Sequence, residues 1–228
     1  MEKKILNIAI VQARMNSSRL RGKVLKKIGP LTCIELLLKR LSKSKLINKI
    51  IVATSTNPQD NILYNQLSEM GVECFRGEEQ NVLKRFVDLL RNTNATNIIR
   101  ITGDCPFIDG KTLDHCIEQI GDFQKFDLCT TKGQFPVGID FELINCKTLK
   151  DNWKYMNKED KEHLTYYFYR EENKKKFRIL NFTMPNDWQK SDISFTIDTL
   201  EDYLRALKIL NNFGTTKFSV KDLLNINS

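Results

Sequence analysis

Three short apolar runs rich in β-branched residues, at 5–11 (ILNIAIV), 49–55 (KIIVATS) and 97–102 (NIIRIT), are each followed by a helical pattern, and that alternation leaves few folds open to the chain. Runs of this length and composition read as buried strands. Between them the spacing predicts helices over 34–46 and 58–70, the second stopped by Gly71, then a short strand at 72–75. An amphipathic helix at 81–91 places Val82, Phe86, Leu89 and Leu90 on one side. Strand and helix alternating through short joints specify a mainly parallel, mixed sheet covered on both faces, a three-layer α/β/α architecture. With 228 residues, 41% of them hydrophobic, the chain can fill one core, and no repeat or low-complexity linker divides it, so a single domain over 1–228 is expected. A lysine-rich turn at 174–176 reads as solvated.

The joint after the first strand, residues 12–24 (QARMNSSRLRGKV), carries Arg14, Arg19, Arg21 and Lys23. In open α/β sheets ligands bind at the carboxyl ends of the strands, where this loop begins. A Walker A loop would have glycine in place of Ser17 and a serine or threonine in place of Val24, so side chains must supply the charge here. Arg14, Arg19 and Lys23 are the candidates, since arginine forks bind phosphate oxygens in pairs and lysine acts as a point charge. On charge alone, a solvated basic loop is an equal reading.

Residues 1–50 hold 13 Lys or Arg against 2 acidic residues, a net of +11, while residues 51–228 carry a net of -3. A field concentrated around the first loop and helix suits steering of a compact anion to one site better than coating a duplex. No zinc finger, long basic helix or RNA-binding aromatic signature is present, so no nucleic-acid partner is expected. No apolar stretch reaches bilayer-spanning length, and the N-terminal apolar run leads directly into the basic loop, unlike a signal peptide; a cytoplasmic protein without membrane contact is expected. Cys33, Cys74, Cys105, Cys116, Cys129 and Cys146 show no CxxC spacing and read as reduced core residues.

The strand at 97–102 runs into Gly103-Asp104-Cys105-Pro106. A carboxylate at the carboxyl end of a central strand, beside a glycine that lets a ligand approach, is placed to coordinate Mg²⁺ on a nucleotide. Asp104 can equally cap a turn ahead of Pro106. Residues 194–198 (SFTID) read as a short strand ending at Asp198, before a helix capped by Thr199 with Glu201 and Asp202 in its first turn.

Taken in order, these segments resemble the cytidylyltransferases that activate sugars with CTP, in particular the SpsF-like spore-coat-polysaccharide branch and its relatives, the CMP-Kdo and CMP-sialate synthetases. Arg14, Ser17, Arg19, Leu20, Gly22, Lys23 and Leu25 match a family pattern close to ARxxSxRLPGKxL, with Arg21 where proline is usual and only Gly29 and Pro30 left of a GGKP-like segment. RITGDCPFID at 100–109 is close to RITGDCPLID, and PVGIDFEL at 136–143 matches a GxDxE element. EHLTYYFYR at 162–170 resembles EHxTxYxY, and SFTIDTLED at 194–202 resembles W/FTVDTPED, with Leu200 replacing proline. The resemblance spans residues 8 to 211.

It implies a nucleotidyltransferase fold, Rossmann-like and similar to A-type glycosyltransferases, and transfer of CMP from CTP to a sugar or sugar acid with loss of pyrophosphate. Ala13, Arg14, Ser17, Arg19, Gly22, Lys23 and Gly103 would bind the nucleotide, with Arg14, Lys23 and Asp104 taking part in catalysis and Asp104 and Asp198 holding Mg²⁺. Asp140 and Glu142, alternating on a strand and so sharing a face turned toward ligand or toward a paired cation, and His163, on a helix continuing to residue 170, would contact the sugar. Helix packing accounts for His163 equally. A homodimer with an arm from residues 135–190 is also implied. Two other readings remain: a metal-dependent A-type glycosyltransferase, which would usually carry Asp-x-Asp where this chain has Asp104-Cys105-Pro106, and a non-catalytic CTP-binding relative, suggested by Arg21 and the eroded GGKP segment.

Overall fold

In β1 (Asn7–Gln12), Ile8 and Ile10 face one side of a sheet while Ala9 and Val11 face the other, and all four are buried, so apolar layers cover both faces. The computed structural model describes residues 5–186, 188 and 192–226. After β1 come a small hairpin of β2 (Lys27–Ile28) and β3 (Leu31–Thr32), α1 (Cys33–Leu41), β4 (Lys49–Ser55), α2 (Asn61–Glu69), β5 (Cys74–Gly77) and α3 (Val82–Arg91). The chain continues through β6 (Asn97–Thr102), α4 (Gly110–Glu118), β7 (Leu128–Thr130), β8 (Glu142–Asn145), α5 (Cys146–Asn152), α6 (Lys158–Glu162) and α7 (Tyr166–Tyr169). It ends with β9 (Ile179–Asn181), α8 (Leu200–Phe213) and α9 (Val220–Asn225).

The sheet has seven strands in the order β5-β4-β1-β6-β8-β7-β9. Pairs β5/β4, β4/β1, β1/β6 and β7/β9 are parallel, and β8 runs antiparallel to both neighbours. On one face Val11, Val52 and Ile101 pack with Leu37, Leu63, Leu113, Leu210 and Leu223 from α1, α2, α4, α8 and α9. On the other, Ile10, Ile51 and Ile98 pack with Phe86, Leu149 and Phe168 from α3, α5 and α7. The three-layer, mainly parallel architecture expected from the sequence is the one observed.

Differences from the sequence reading have tertiary causes. The helix expected over 34–46 stops at Leu41, because Asp114 on α4 captures the backbone N–H groups of Lys45 (2.7 Å) and Leu46 (3.1 Å). The strand expected at 72–75 pairs two residues later, where Cys74 to Gly77 align with Val52 to Ser55. Residues 194–198 form no strand. Their backbone is held by bonds to loops, described below. Of the expected dimer arm, residues 187, 189 and 190 lie outside the described residues. Among the described residues no helix is long and apolar enough to cross a membrane.

Candidate active site

The basic loop is fastened where it leaves β1. The Ala13 N–H donates to the Ala53 carbonyl (3.2 Å) and the Met15 N–H to Asp60 Oδ1 (2.6 Å). Asp60 is buried, and its other oxygen accepts from the Ser55 N–H (3.2 Å) and hydroxyl, so one carboxylate ties the loop to β4. Read from sequence, Asp60 is only a helix residue; the unmet backbone donors of a buried loop are the signal that would have singled it out. Gly22 takes φ +67°, a left-handed conformation that favours glycine, and starts the helical turn at Lys23–Leu25 in which Lys23 is buried. At Gly103 a Cβ would lie 2.8 Å from the Ala13 Cβ and 3.1 Å from the Gln12 carbonyl oxygen. That glycine therefore lets β6 close against the loop after β1.

Asp104 and Asp198 are far apart in sequence and adjacent in space. The Phe195 N–H donates to the Val137 carbonyl (2.7 Å) and the Ile197 N–H to the Asp104 carbonyl (2.9 Å), which brings the segment before α8 across the end of β6. Lys23 Nζ then lies 2.5 Å from Asp104 Oδ2 and 2.7 Å from Asp198 Oδ1, while Arg19 Nη2 lies 3.0 Å from Asp198 Oδ2. Burial works against the Lys23 ammonium, yet the two carboxylates outweigh it and its pKa stands above the ordinary value. Burial likewise works against the Asp104 carboxylate, and Lys23 beside it holds its pKa below the usual range. Both groups are charged at neutral pH. Among the described residues no three His, Cys, Asp or Glu side chains gather as a ready-made metal cage.

The cluster sits in a cleft of about 420 Å³ at the carboxyl ends of β1 and β6. Of the predicted site residues, Gly22, Asp140 and Glu142 do not line it, and the other nine do. Glu142 opens β8 and is buried, its oxygens taken by Arg100 (3.1 Å), Lys132 (3.0 Å) and the Tyr169 hydroxyl (2.7 Å). Arg100 itself lines the cleft and bonds Gln12 Oε1 at 3.2 Å, so Glu142 reaches the site through Arg100. Asp140 precedes the strand, with Oδ1 accepting from the Gly138 N–H (2.9 Å) in a turn. The expected alternation of Asp140 and Glu142 along one strand is therefore absent.

His163 lines the cleft, but the continuous helix expected around it is broken: His163 ends α6 with φ -118° and ψ 68°, and its ring stacks on Tyr166 at 4.7 Å. The buried Asp160 and Arg170 pair (2.9 Å) closes this break, a contact that local periodicity cannot register. Arg14 lies 4.0 Å from Glu162, an exposed pair that leaves it available. Arg21 is exposed and outside the cleft lining. Cys105 is buried, as its reading as a core residue expects, and burial, followed by the charge of Asp104, pushes its thiol well above the ordinary value.

Arg85 on α3 also lines the cleft, and the sequence reading does not single it out. It is only 2% exposed; Nη1 donates to the Glu78 carbonyl (2.8 Å) while Nε has no partner among the described residues. Burial, then the charge of Arg14, pulls it down to about 10. A buried cation so lightly neutralised is suited to an anion entering the cleft.

This site lies in a chain with clear relatives. An uncharacterised protein of Methanocaldococcus jannaschii is 34% identical over 218 residues, covering 95% of this chain and 88% of its own length. The spore coat polysaccharide biosynthesis protein SpsF of Bacillus subtilis is 34% identical over 200 residues, covering 85% and 82%. A solved cytidylyltransferase from Leptospira borgpetersenii superposes with a TM-score of 0.89 at 30% identity, over 98% of this chain and 94% of that one. The cytidylyltransferase family model matches residues 8–222, and with the basic loop, the paired aspartates and the sheet all in place, the chain belongs to the cytidylyltransferase family.

Proposed function

We propose that the protein transfers CMP from CTP to a sugar or sugar acid and releases pyrophosphate, supplying an activated sugar for polysaccharide synthesis in the cytoplasm. The observation that carries this reading is the convergence of Lys23, Arg19, Asp104 and Asp198 within hydrogen-bonding distance inside one cleft. In the reaction an acceptor hydroxyl oxygen bonds to the α-phosphorus, the bond to the β-phosphate oxygen breaks, the hydroxyl proton passes to solvent, and pyrophosphate leaves. Arg14, Arg19 and Lys23 hold the triphosphate and neutralise the leaving group, and fixed cations of this kind supply most of the catalysis in phosphoryl transfer.

The two carboxylates fit a divalent cation, Mg²⁺ in this reading. They are hard oxygen donors already converging on one ammonium, and Mg²⁺ commonly takes one or two protein carboxylates with phosphates and waters completing its shell. When bound, the cation would polarise the α-phosphate. Asp104 and Asp198 would hold it, with Lys23 turning from them to the phosphates. His163, whose ring stacks on Tyr166, marks the sugar side of the cleft, and Glu142 orients Arg100 in the same lining. A homodimer through residues 135–190 is part of the proposal, supported by the apolar surface that Val137, Tyr155 and Tyr166 expose.

The test is pyrophosphate release with Mg²⁺, each of the four nucleoside triphosphates being offered with a panel of sugar acids and sugar phosphates. Release with CTP and one acceptor class is expected. Release with another nucleotide in preference to CTP, or none while CTP binds, would overturn the assignment.

A further inference from the structure

A second cavity of about 460 Å³ opens at the far end of α1, and its charge is unbalanced. Lys39 and Lys43 reach it from α1 and the turn beyond, Lys111 from the first turn of α4, and Lys217 from the segment before α9. Among the described residues none of these four lysines has a carboxylate partner. Lys111 even stands at the positive end of the α4 dipole, where a cation is unfavourable.

The cavity wall adds a fifth cation. Arg40 is 4% exposed and donates to the carbonyls of Phe107 (2.9 Å) and Phe218 (2.8 Å), with its guanidinium 4.3 Å from the Phe218 ring centroid. Two carboxylates line the same cavity, and both are in use. Asp109 accepts from the Thr112 N–H (2.8 Å) and the Val220 N–H (2.9 Å) and lies 3.5 Å from Arg40, while Asp222 accepts from the Ser219 N–H (2.8 Å) and hydroxyl (2.8 Å). Arg40 is taken up by its carbonyl partners and by Asp109, so the charge left facing a hollow of ligand size is that of the four lysines.

We propose that this cavity is a second anion site, separate from the cleft that holds Lys23, and that it binds a small molecule carrying a diphosphate or triphosphate group. Lysines on three separate elements suit several phosphate oxygens at once, while a single charge would leave most of them unpaired. The free polyphosphate and the same group on a nucleotide share this chemistry.

Equilibrium dialysis with labelled pyrophosphate tests it, using the wild-type protein, the triple variant Lys39→Gln/Lys43→Gln/Lys217→Gln, and Arg19→Gln. The wild type should bind two equivalents, the triple variant should lose one of them while the CTP-cleft equivalent persists, and Arg19→Gln should weaken the other. Repeating the dialysis with CTP on Arg19→Gln separates the sources: competition for the remaining equivalent assigns the site to nucleotides, and its absence to free polyphosphate. Loss of binding in the triple variant with no effect of Arg19→Gln would keep the second site and sink the triphosphate reading of the cleft. A single equivalent removed by Arg19→Gln alone, or equal competition by sulfate, would overturn the second site.

Discussion

Lys23 is the residue on which the site turns. Its ammonium neutralises two carboxylates that would otherwise face each other, and it belongs to the same short helical turn that Gly22 begins. Replacing it with methionine removes one fixed cation from the cleft, which should lower kcat by about two to three orders of magnitude. Steady-state turnover with CTP checks this, and a variant within about threefold of the wild type would dismiss the role. Arg85 predicts a split between stability and binding. With Nε unpartnered among the described residues, Arg85→Met should fold with an unchanged or higher melting temperature, since it removes a poorly compensated buried charge. It should nevertheless weaken CTP by about tenfold or more, the scale of a charge-assisted hydrogen bond. Calorimetric titration and thermal melts on the same sample read both. The matched loop residues and both aspartates were legible in the sequence because they lie in contiguous motifs. Arg85 and Asp60 were not, because what marks them is burial without, or with, the right partner.

At the scale of elements, β9 shows how an edge strand is held. Asp127, just before β7, accepts from the Arg178 N–H (2.9 Å) and Nε (3.1 Å) before β9 and from the Thr148 hydroxyl (2.8 Å) on α5. Burial works against its carboxylate, but these bonds hold its pKa below the ordinary value. A depressed carboxylate contributes stability above its unfolded value of about 4 and loses it as pH falls through the folded value. Asp127→Asn should therefore cost about 1 to 2 kcal/mol at pH 7 and progressively less below pH 4, as read by urea unfolding at both pH values. An equal cost at both would assign the effect to packing. Elements whose residues alternate or cap locally, such as β4, β6 and the Thr199-capped α8, stand where the sequence pattern puts them. Those that depart are governed by distant partners: Asp114 for the end of α1, and the Asp160–Arg170 pair for the break at His163.

Across the whole molecule, the excess positive charge of residues 1–50 does not converge on one place. Arg14, Arg19 and Lys23 line the cleft, whereas Lys39 and Arg40, in the last turn of α1, and Lys43 just beyond it line the second cavity. Counting charge along the chain could not separate the two, because Lys111 and Lys217 join the second group only through the fold. The sheet order has the same character: β1 lies between β4 and β6, so the basic loop and the Asp104 turn leave neighbouring strand ends. At this junction, in the proposed reaction, the cytidylyl group is transferred. The measurement that tests this transfer most directly follows the fate of CTP labelled at the α-phosphate when incubated with the protein, Mg²⁺ and a sugar-acid acceptor. Label is expected in the acceptor product with one pyrophosphate formed per transfer and little of either with Asp104→Asn; label recovered only as free CMP, or transfer undiminished in that variant, would contradict cytidylyl transfer at this site.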